Sequence, residues 1–200
     1  MNGEIRVYYI NISAIIESGI KHSNATKMIK EKLLPVIIHN SFNINKQDYI
    51  IRLTEKGKPH IVHKDNLPVF FSISHSKKFW VCATSTNEIG IDIECIKKGK
   101  MGVAEYYYTS EENEILKDEK EFDRNFYKIW TAKEAYSKLI GNGISSELLR
   151  NFTMLNNTIT KNGEILGYLS EVNIADGYVC TIATHKPSPI IRIEELEFNF

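Results

Sequence analysis

Ile89-Gly90-Ile91-Asp92-Ile93-Glu94 alternates apolar residues with small or acidic ones, the period of an extended strand whose successive side chains point to opposite faces. The three isoleucines share one face and ask for a core. Asp92 and Glu94 share the other face, with Gly90 beside them. Their attachment points lie about 6.5 to 7 Å apart at roughly 3.3 Å of rise per residue, a span across which two carboxylates can lean toward one hard cation. Magnesium favours a few carboxylates completed by phosphate oxygens and water, so the strand carries half of such a site. An amphipathic strand that shows its acidic face to water would produce the same pattern.

The second informative stretch is Phe126-Tyr127-Lys128-Ile129-Trp130-Thr131-Ala132-Lys133-Glu134-Ala135-Tyr136-Ser137-Lys138-Leu139-Ile140. At about 100° per residue it forms a helix, predicted over 125–140 and ended by Gly141-Asn142-Gly143, a C-terminal stop signal. Ala135, Leu139, Tyr136, Ile129 and Ile140 make an apolar arc, and Trp130, Glu134 and Lys138 a slanting stripe beside it. Lys133 falls inside the apolar sector, where a cation is costly unless it meets an anion. A local rule broken in this way marks a functional position; a snorkelling lysine next to an ordinary Glu134–Lys138 pair is the plainer account.

Around these two stretches the pattern is mixed. Strands are expected at Glu4 to Ile10, Tyr49 to Leu53 and Val69 to Ser74. Phe79 to Thr84 and Ile89 to Glu94 read as a hairpin across Ser85 to Glu88. A helix capped by Ser23 or Asn24 runs toward Asn40, with Pro35 expected to kink or divide it. Lys56-Gly57-Lys58-Pro59 and the basic stretch Lys97 to Met101 read as loops, and Thr109 or Ser110 caps a helix through Leu116. Farther on, strands are expected at Phe152 to Thr160 and Glu164 to Leu169, turning at Lys161-Asn162-Gly163. A last pair, Glu171 to Ala175 and Tyr178 to Thr184, turns at Asp176-Gly177. Without regular βαβ alternation the class is α+β. Val81-Cys82-Ala83-Thr84 is faintly echoed by Val179-Cys180-Thr181-Ile182-Ala183-Thr184.

Composition narrows the partners. The 25 basic residues cancel the 25 acidic ones, which gives no reason to expect nucleic acid or a membrane surface. Phosphate chemistry would then depend on local placement of Lys and His. The N-terminus lacks the apolar run of a secretory signal, and no later segment reaches membrane-spanning length. Cys82, Cys95 and Cys180 are odd in number and lack C-x-x-C spacing, so zinc and a disulfide framework are not expected and a reducing cytoplasm is.

Taken in order, Gly57-Lys58-Pro59, Phe71-Ser72-Ile73-Ser74-His75-Ser76, the acidic strand, Tyr106-Tyr107 with Glu111, and Trp130 through Lys138 resemble the surfactin-type 4′-phosphopantetheinyl transferases. The resemblance covers roughly residues 55 to 145. It implies an α+β pseudodimer of two similar halves, here 1–88 and 89–200, with the active site between them, and hence a monomer. The implied reaction moves phosphopantetheine from coenzyme A to a serine of an acyl or peptidyl carrier protein, with Mg²⁺, and releases adenosine 3′,5′-bisphosphate. Asp92, Glu94 and Glu134 are implied as metal ligands. Ser74, His75, Lys58 and Lys138 are implied as coenzyme A contacts, with Lys133 in the same group. Glu111 is implied as a base, with Glu134 or a metal-bound water as alternatives.

Two positions depart from the family pattern. Ser72 stands where asparagine is usual. Thr26 stands where a basic residue of the first helix grips the 3′-phosphate, leaving Lys27 or Lys30 for that task. Two other readings use the same residues: a Mg²⁺-dependent hydrolase of coenzyme A or a nucleotide pyrophosphate, and an inactive binder of coenzyme A or carrier protein.

Overall fold

A computed structural model describes residues 4–187 and 189–197. The chain opens with β1 (Glu4–Asn11), α1 (Ser13–Glu17), α2 (His22–Phe42), β2 (Tyr49–Leu53), β3 (Pro59–His63), β4 (Phe70–Ser76) and β5 (Phe79–Ser85). It continues with β6 (Gly90–Cys95), α3 (Met101–Tyr107), α4 (Ser110–Ile115), α5 (Phe122–Ile140) and α6 (Ser146–Asn151). The last strands are β7 (Thr153–Leu155), β8 (Thr158–Lys161), β9 (Glu164–Glu171), β10 (Tyr178–Thr184) and β11 (Ile190–Glu195).

Two sheets are built on one plan. In the first, β1 is followed by the long helix α2, and the arms of the β4–β5 hairpin then pair so that β5 lies between β4 and β1. In the second, β6 is followed by α5, and β10 lies between β9 and β6. The β7–β8 hairpin extends the second sheet, β11 adds to β1 in parallel, and β2–β3 stand apart as a two-stranded pair.

Three cores follow from the strand periods. Tyr8, Ile10, Trp80 and Cys82 face α2 through Ala25, Ile29, Ile37 and Ile38. Ala183 and Leu169 meet α5 through Ile129, Ala132, Ala135 and Leu139. The opposite faces of both sheets share one core, made by Ile5, Val7, Val81 and Ala83 with Ile89, Ile91, Ile93, Cys180 and Ile182. The three isoleucines that asked for a core are therefore buried between the sheets.

Several expectations are corrected. Phe79–Ser85 and Gly90–Cys95 do not form a hairpin: β5 pairs with β1 and β4, β6 pairs with β10, and residues 86–89 hand the chain from one sheet to the other. The true hairpin joins β4 to β5, where Lys77 takes a positive φ of 49°. Pro35 neither divides α2 nor ends it; burial of Ile29, Leu34, Ile37 and Ile38 along its inner face offsets the proline penalty of about 3 kcal/mol. Ser23 and Asn24 lie in the first turn, and Lys21 is the N-cap, with no side-chain bond. The expected strand over residues 152–160 is a tight hairpin, because Asn156 and Asn157 both adopt positive φ, at 48° and 61°. Residues 172–175 are not a strand, since β9 ends at Glu171. Helices α1, α3 and α6 and strands β3 and β11 have no counterpart among the elements expected from sequence.

The echo between Val81–Thr84 and Val179–Thr184 falls on equivalent strands, yet one residue out of phase. Cys82 faces α2, whereas Cys180 faces the shared core; the helix-facing residues of β10 are Thr181, bonded to Thr131, and Ala183. The similarity is of β-rich composition and not of corresponding positions. Among the described residues no helix is long and apolar enough to cross a membrane.

Candidate functional site

Helix α5 lies directly on β6 because Gly90 has no side chain: a Cβ there would stand 1.9 Å from the Ala135 carbonyl oxygen and 2.6 Å from the Leu139 nitrogen. This approach brings the Glu134–Lys138 stripe over the acidic face of the strand. The helix then stops at Gly141, which caps it with φ 69°.

Lys138 Nζ donates to Asp92 Oδ1 at 2.7 Å and to the Ile91 carbonyl at 3.0 Å. The same Asp92 oxygen accepts from Ser74 Oγ at 2.7 Å. Asp92 Oδ2 is buried and has no hydrogen-bond partner. Glu94 Oε2 accepts from Ser76 Oγ at 2.7 Å. Burial pushes the Glu94 carboxyl above its ordinary range, and the neighbouring Asp92 charge adds to this against the Ser76 bond. Glu134 is pushed up to about 7, first by burial and next by the Asp92 charge, with Lys138 opposing and Glu94 adding. Three carboxylates thus lie within electrostatic reach of one another. Among the described residues no group of three or more His, Cys, Asp or Glu stands close enough together to hold a metal ion as arranged; in this arrangement the Lys138 ammonium sits on Asp92.

Glu134 and Lys138 open onto a cavity of about 600 Å³ between α2 and α5. Thr26, Lys27 and Lys30 line it from α2, Ser72 and His75 from β4, and Lys56, Gly57 and Lys58 from the turn between β2 and β3. Partial burial lowers the His75 imidazole, helped by His22 and Lys138; the two histidine rings meet edge-on at 5.2 Å. Lys58 Nζ donates to the Leu139 carbonyl at 2.7 Å, and burial lowers its ammonium against the pull of Glu88. Lys56 Nζ reaches Asn142 Oδ1 at 2.7 Å, so the turn is fastened at two points to the C-terminal end of α5.

Of the sequence-derived candidates, Glu134, Lys138, Lys58, His75 and Lys27 line this cavity, and Asp92 is joined to it through Lys138. Glu94 does not line the cavity and is held by Ser76, and three more candidates lie elsewhere. Ser74 does not line the cavity, because its hydroxyl faces β6 and is committed to Asp92. Lys133 is wholly buried on the far side of α5, paired with Glu112 at 2.5 Å, bonded to the Leu149 carbonyl and 5.3 Å from the Tyr108 ring centroid. Its position in the apolar sector is answered by an internal anion and not by a bound ligand. Glu111 is exposed and borders a separate depression with Arg150 and Lys161.

The carboxylate that turns inward is Glu112, which also accepts from the Met154 and Thr109 nitrogens at 2.6 and 2.9 Å. The signal was present: Thr109-x-x-Glu112 has capping-box spacing, and both bonds of the box form. Ser76, present in the quoted motif, bonds a carboxylate, and His22, beside His75, had no signal in the sequence.

A family model described as the 4′-phosphopantetheinyl transferase superfamily matches residues 88–183, the span that runs from β6 to β10. The chain is 31% identical over 140 residues to the 4′-phosphopantetheinyl transferase gsp of Aneurinibacillus migulanus, covering 69% of this chain and 54% of that protein. It is 33% identical over 124 residues to the 4′-phosphopantetheinyl transferase Sfp of Bacillus subtilis (strain 168), covering 60% and 54%. Over 99 residues it is 34% identical to the putative 4′-phosphopantetheinyl transferase slr0495 of Synechocystis sp., covering 46% and 40%. The chain spans about half the length of the curated relatives it matches.

Proposed function

We propose, from the premise that residues 88–183 belong to the 4′-phosphopantetheinyl transferase superfamily, that this chain transfers the 4′-phosphopantetheine arm of coenzyme A to a serine of an apo carrier protein. The observation that carries the reading is the buried, unpartnered Oδ2 of Asp92, within electrostatic reach of Glu94 and of Glu134, the last of which lines a lysine-rich cavity. An acceptor left bare in the interior is costly unless something else satisfies it. A cation would do so.

The donor set fits Mg²⁺. All three groups offer hard oxygen, and this ion completes a partial protein shell with phosphate oxygens and water, so a closed protein cage is not required. Asp92, Glu94 and Glu134 would hold it. When bound, Mg²⁺ neutralises charge on a diphosphate.

The remaining work falls to the chain's own side chains. Lys138 supplies a fixed cation at the diphosphate once it is shared with Asp92. His75, lowered by its surroundings, offers an N–H to a phosphate oxygen without needing to be protonated. Lys27 and Lys30 stand on α2 where the 3′-phosphate of coenzyme A would enter, and Lys58 braces the wall beside the nucleotide. The attacking serine must lose a proton. Of the two carboxyls considered for that step only Glu134 lines the cavity. Such positioning and electrostatic work is what phosphoryl transfer requires.

The shared plan of the two sheets supports a pseudodimer with halves at 1–88 and 89–200 and the cavity between them, which favours a monomer. Free, buried Cys82 and Cys180 support the reducing cytoplasm. The test is direct. Incubation with coenzyme A, Mg²⁺ and an apo carrier should add the mass of phosphopantetheine to the carrier and release adenosine 3′,5′-bisphosphate. Cleavage of coenzyme A with no gain on the carrier would mean a hydrolase instead; binding without either product would mean an inactive binder.

A further inference from the structure

Strands β4 and β6 belong to different sheets and lie side by side. What joins them is a row of serines. Ser72, Ser74 and Ser76 occupy alternate positions of β4, so all three point the same way, toward β6. Ser72 Oγ accepts from the Ile91 nitrogen at 3.1 Å, and Ser76 Oγ accepts from the Cys95 nitrogen at 3.1 Å. These side chains take the place of a backbone ladder.

The proton of Ser76 has one destination. The Cys95 N–H can only donate, so it uses a lone pair of the hydroxyl and leaves the hydroxyl hydrogen for an acceptor. That acceptor is Glu94 Oε2, at 2.7 Å. The hydroxyl is therefore held at its own position by the backbone of the residue next to Glu94, and from there it holds one carboxylate oxygen. A glutamate side chain has several rotamers, and a bond to a single oxygen of the carboxylate selects among them while leaving the second oxygen free of Ser76. Ser74 treats Asp92 in the same way, binding Oδ1 and leaving Oδ2 bare.

We infer that Ser76 is a positioning residue that aims the Glu94 carboxylate toward the proposed cation, an assignment that rests on the metal reading above. Bonds of this kind from outside the ligand set fix ligand orientation, and their loss commonly weakens metal binding about tenfold or more.

The test uses Mn²⁺ as the probe, with its binding to the full chain read by electron paramagnetic resonance and displaced by Mg²⁺, beside thermal melts. Ser76→Ala should bind Mn²⁺ about tenfold more weakly than the wild type, and Ser76→Thr, which keeps the hydroxyl, should stay within about twofold. Ser72→Ala removes a bridge to β6 that touches no carboxylate; it should lower the melting temperature and leave Mn²⁺ affinity within about twofold. If Ser76→Ala does not fold, Ser76→Cys keeps the volume with a weaker donor and should show roughly a threefold loss. Unchanged affinity in the Ser76 variants, or an equal loss in Ser72→Ala, overturns the inference while the metal reading stands. Absence of Mg²⁺-displaceable Mn²⁺ in the wild type removes the metal reading itself, and the inference with it.

Discussion

The two sheets repeat one plan and fill it with opposite chemistry. On β1 the residues that face the helix are Tyr8 and Ile10; on β6 they are Asp92 and Glu94. Tyr8 is paired across to Cys82, and Asp92 to Thr181, so the two occupy matching places in their ladders. Around Tyr8 the polar groups are closed upon one another: Tyr8 meets Ser41 Oγ at 3.0 Å, Ser41 meets Thr84 Oγ1 at 2.9 Å, and Thr84 donates to the Arg6 carbonyl at 3.5 Å; the bare atoms of the first half, Tyr49 OH and His60 Nδ1, are neutral groups of β2 and β3. In the second half Asp92 is left with a bare oxygen. A duplicated scaffold can thus hold one half as a stable wall while the other carries unsatisfied charge. Stored electrostatic strain of this kind is expected at a functional site and not in a wall.

The sharpest way to break that comparison is to remove charge from the second half. Glu134→Gln should lower kcat/KM for carrier modification about a thousandfold, since several kcal/mol of transition-state stabilisation would be lost. The assay is the rate of mass gain on an apo carrier. A drop of less than about tenfold would mean that the carboxylate is not part of the chemistry and that the contrast between the halves is only one of packing.

A second prediction separates the site from its support. Glu112 and Lys133 are both fully buried, and the Lys133 ammonium rests on Glu112 and a carbonyl. Glu112→Gln would leave Lys133 without its anion, at a cost of about 3 to 5 kcal/mol, seen as a lower midpoint in urea. Transfer by the fraction still folded should be reduced far less than in Glu134→Gln. Equal losses of activity in the folded protein would place Glu112 in the chemistry.

The third uses pH. Glu134 titrates at about 7 in the folded protein against an ordinary 4.5, raised chiefly by burial. The folded state then holds a proton that the unfolded chain releases, so stability is greatest below the lower value and falls as pH rises through the window between them. Metal-free wild type should lose urea resistance between pH 5 and pH 7.5, and Glu134→Gln should lose less. Identical slopes would mean that neither burial nor the neighbouring carboxylates raise Glu134 in the folded protein. No carboxylate stands at Tyr8 or Ile10, so the first half has no counterpart of this behaviour.

The contrast between the halves was partly legible in the sequence. The period of Ile89, Ile91 and Ile93 located β6, and the apolar arc with Gly141 located α5, because both signals are local and repeat within one element. That Glu134 stands within electrostatic reach of Asp92 and Glu94 agrees with what those two elements and the family resemblance implied. What could not be read was non-local. Nothing near Phe79–Ser85 or Gly90–Cys95 says that they join different sheets, and β11 has meaning only beside β1, at the other end of the chain. Short α3 and α6 carry too few turns for a period. Glu111, implied by the resemblance alone, and Glu112 show the limit of helical phase: in a single turn of helix one residue separates an exposed carboxylate from a wholly buried one.

The smallest expected effect tests the quiet half. The order of the hydroxyl chain can be worked out from its end. Thr84 donates its hydrogen to a carbonyl, so it accepts from Ser41, and Ser41 in turn accepts from Tyr8. Tyr8 donates to Ser41 and has the Arg6 guanidinium, a donor only, on its other side. Tyr8→Phe therefore removes one hydroxyl whose neighbours keep other partners: Arg6 still bonds Glu4 and the Asn40 carbonyl, and Ser41 keeps its own bond to Thr84. The loss should be about 1 kcal/mol or less, measured by urea unfolding, with transfer to the carrier unchanged. If Tyr8→Phe instead lowered transfer as Glu134→Gln does, the first half could not be a passive wall, and the asymmetry between Tyr8 and Asp92 would have to be understood as two coupled parts of one site.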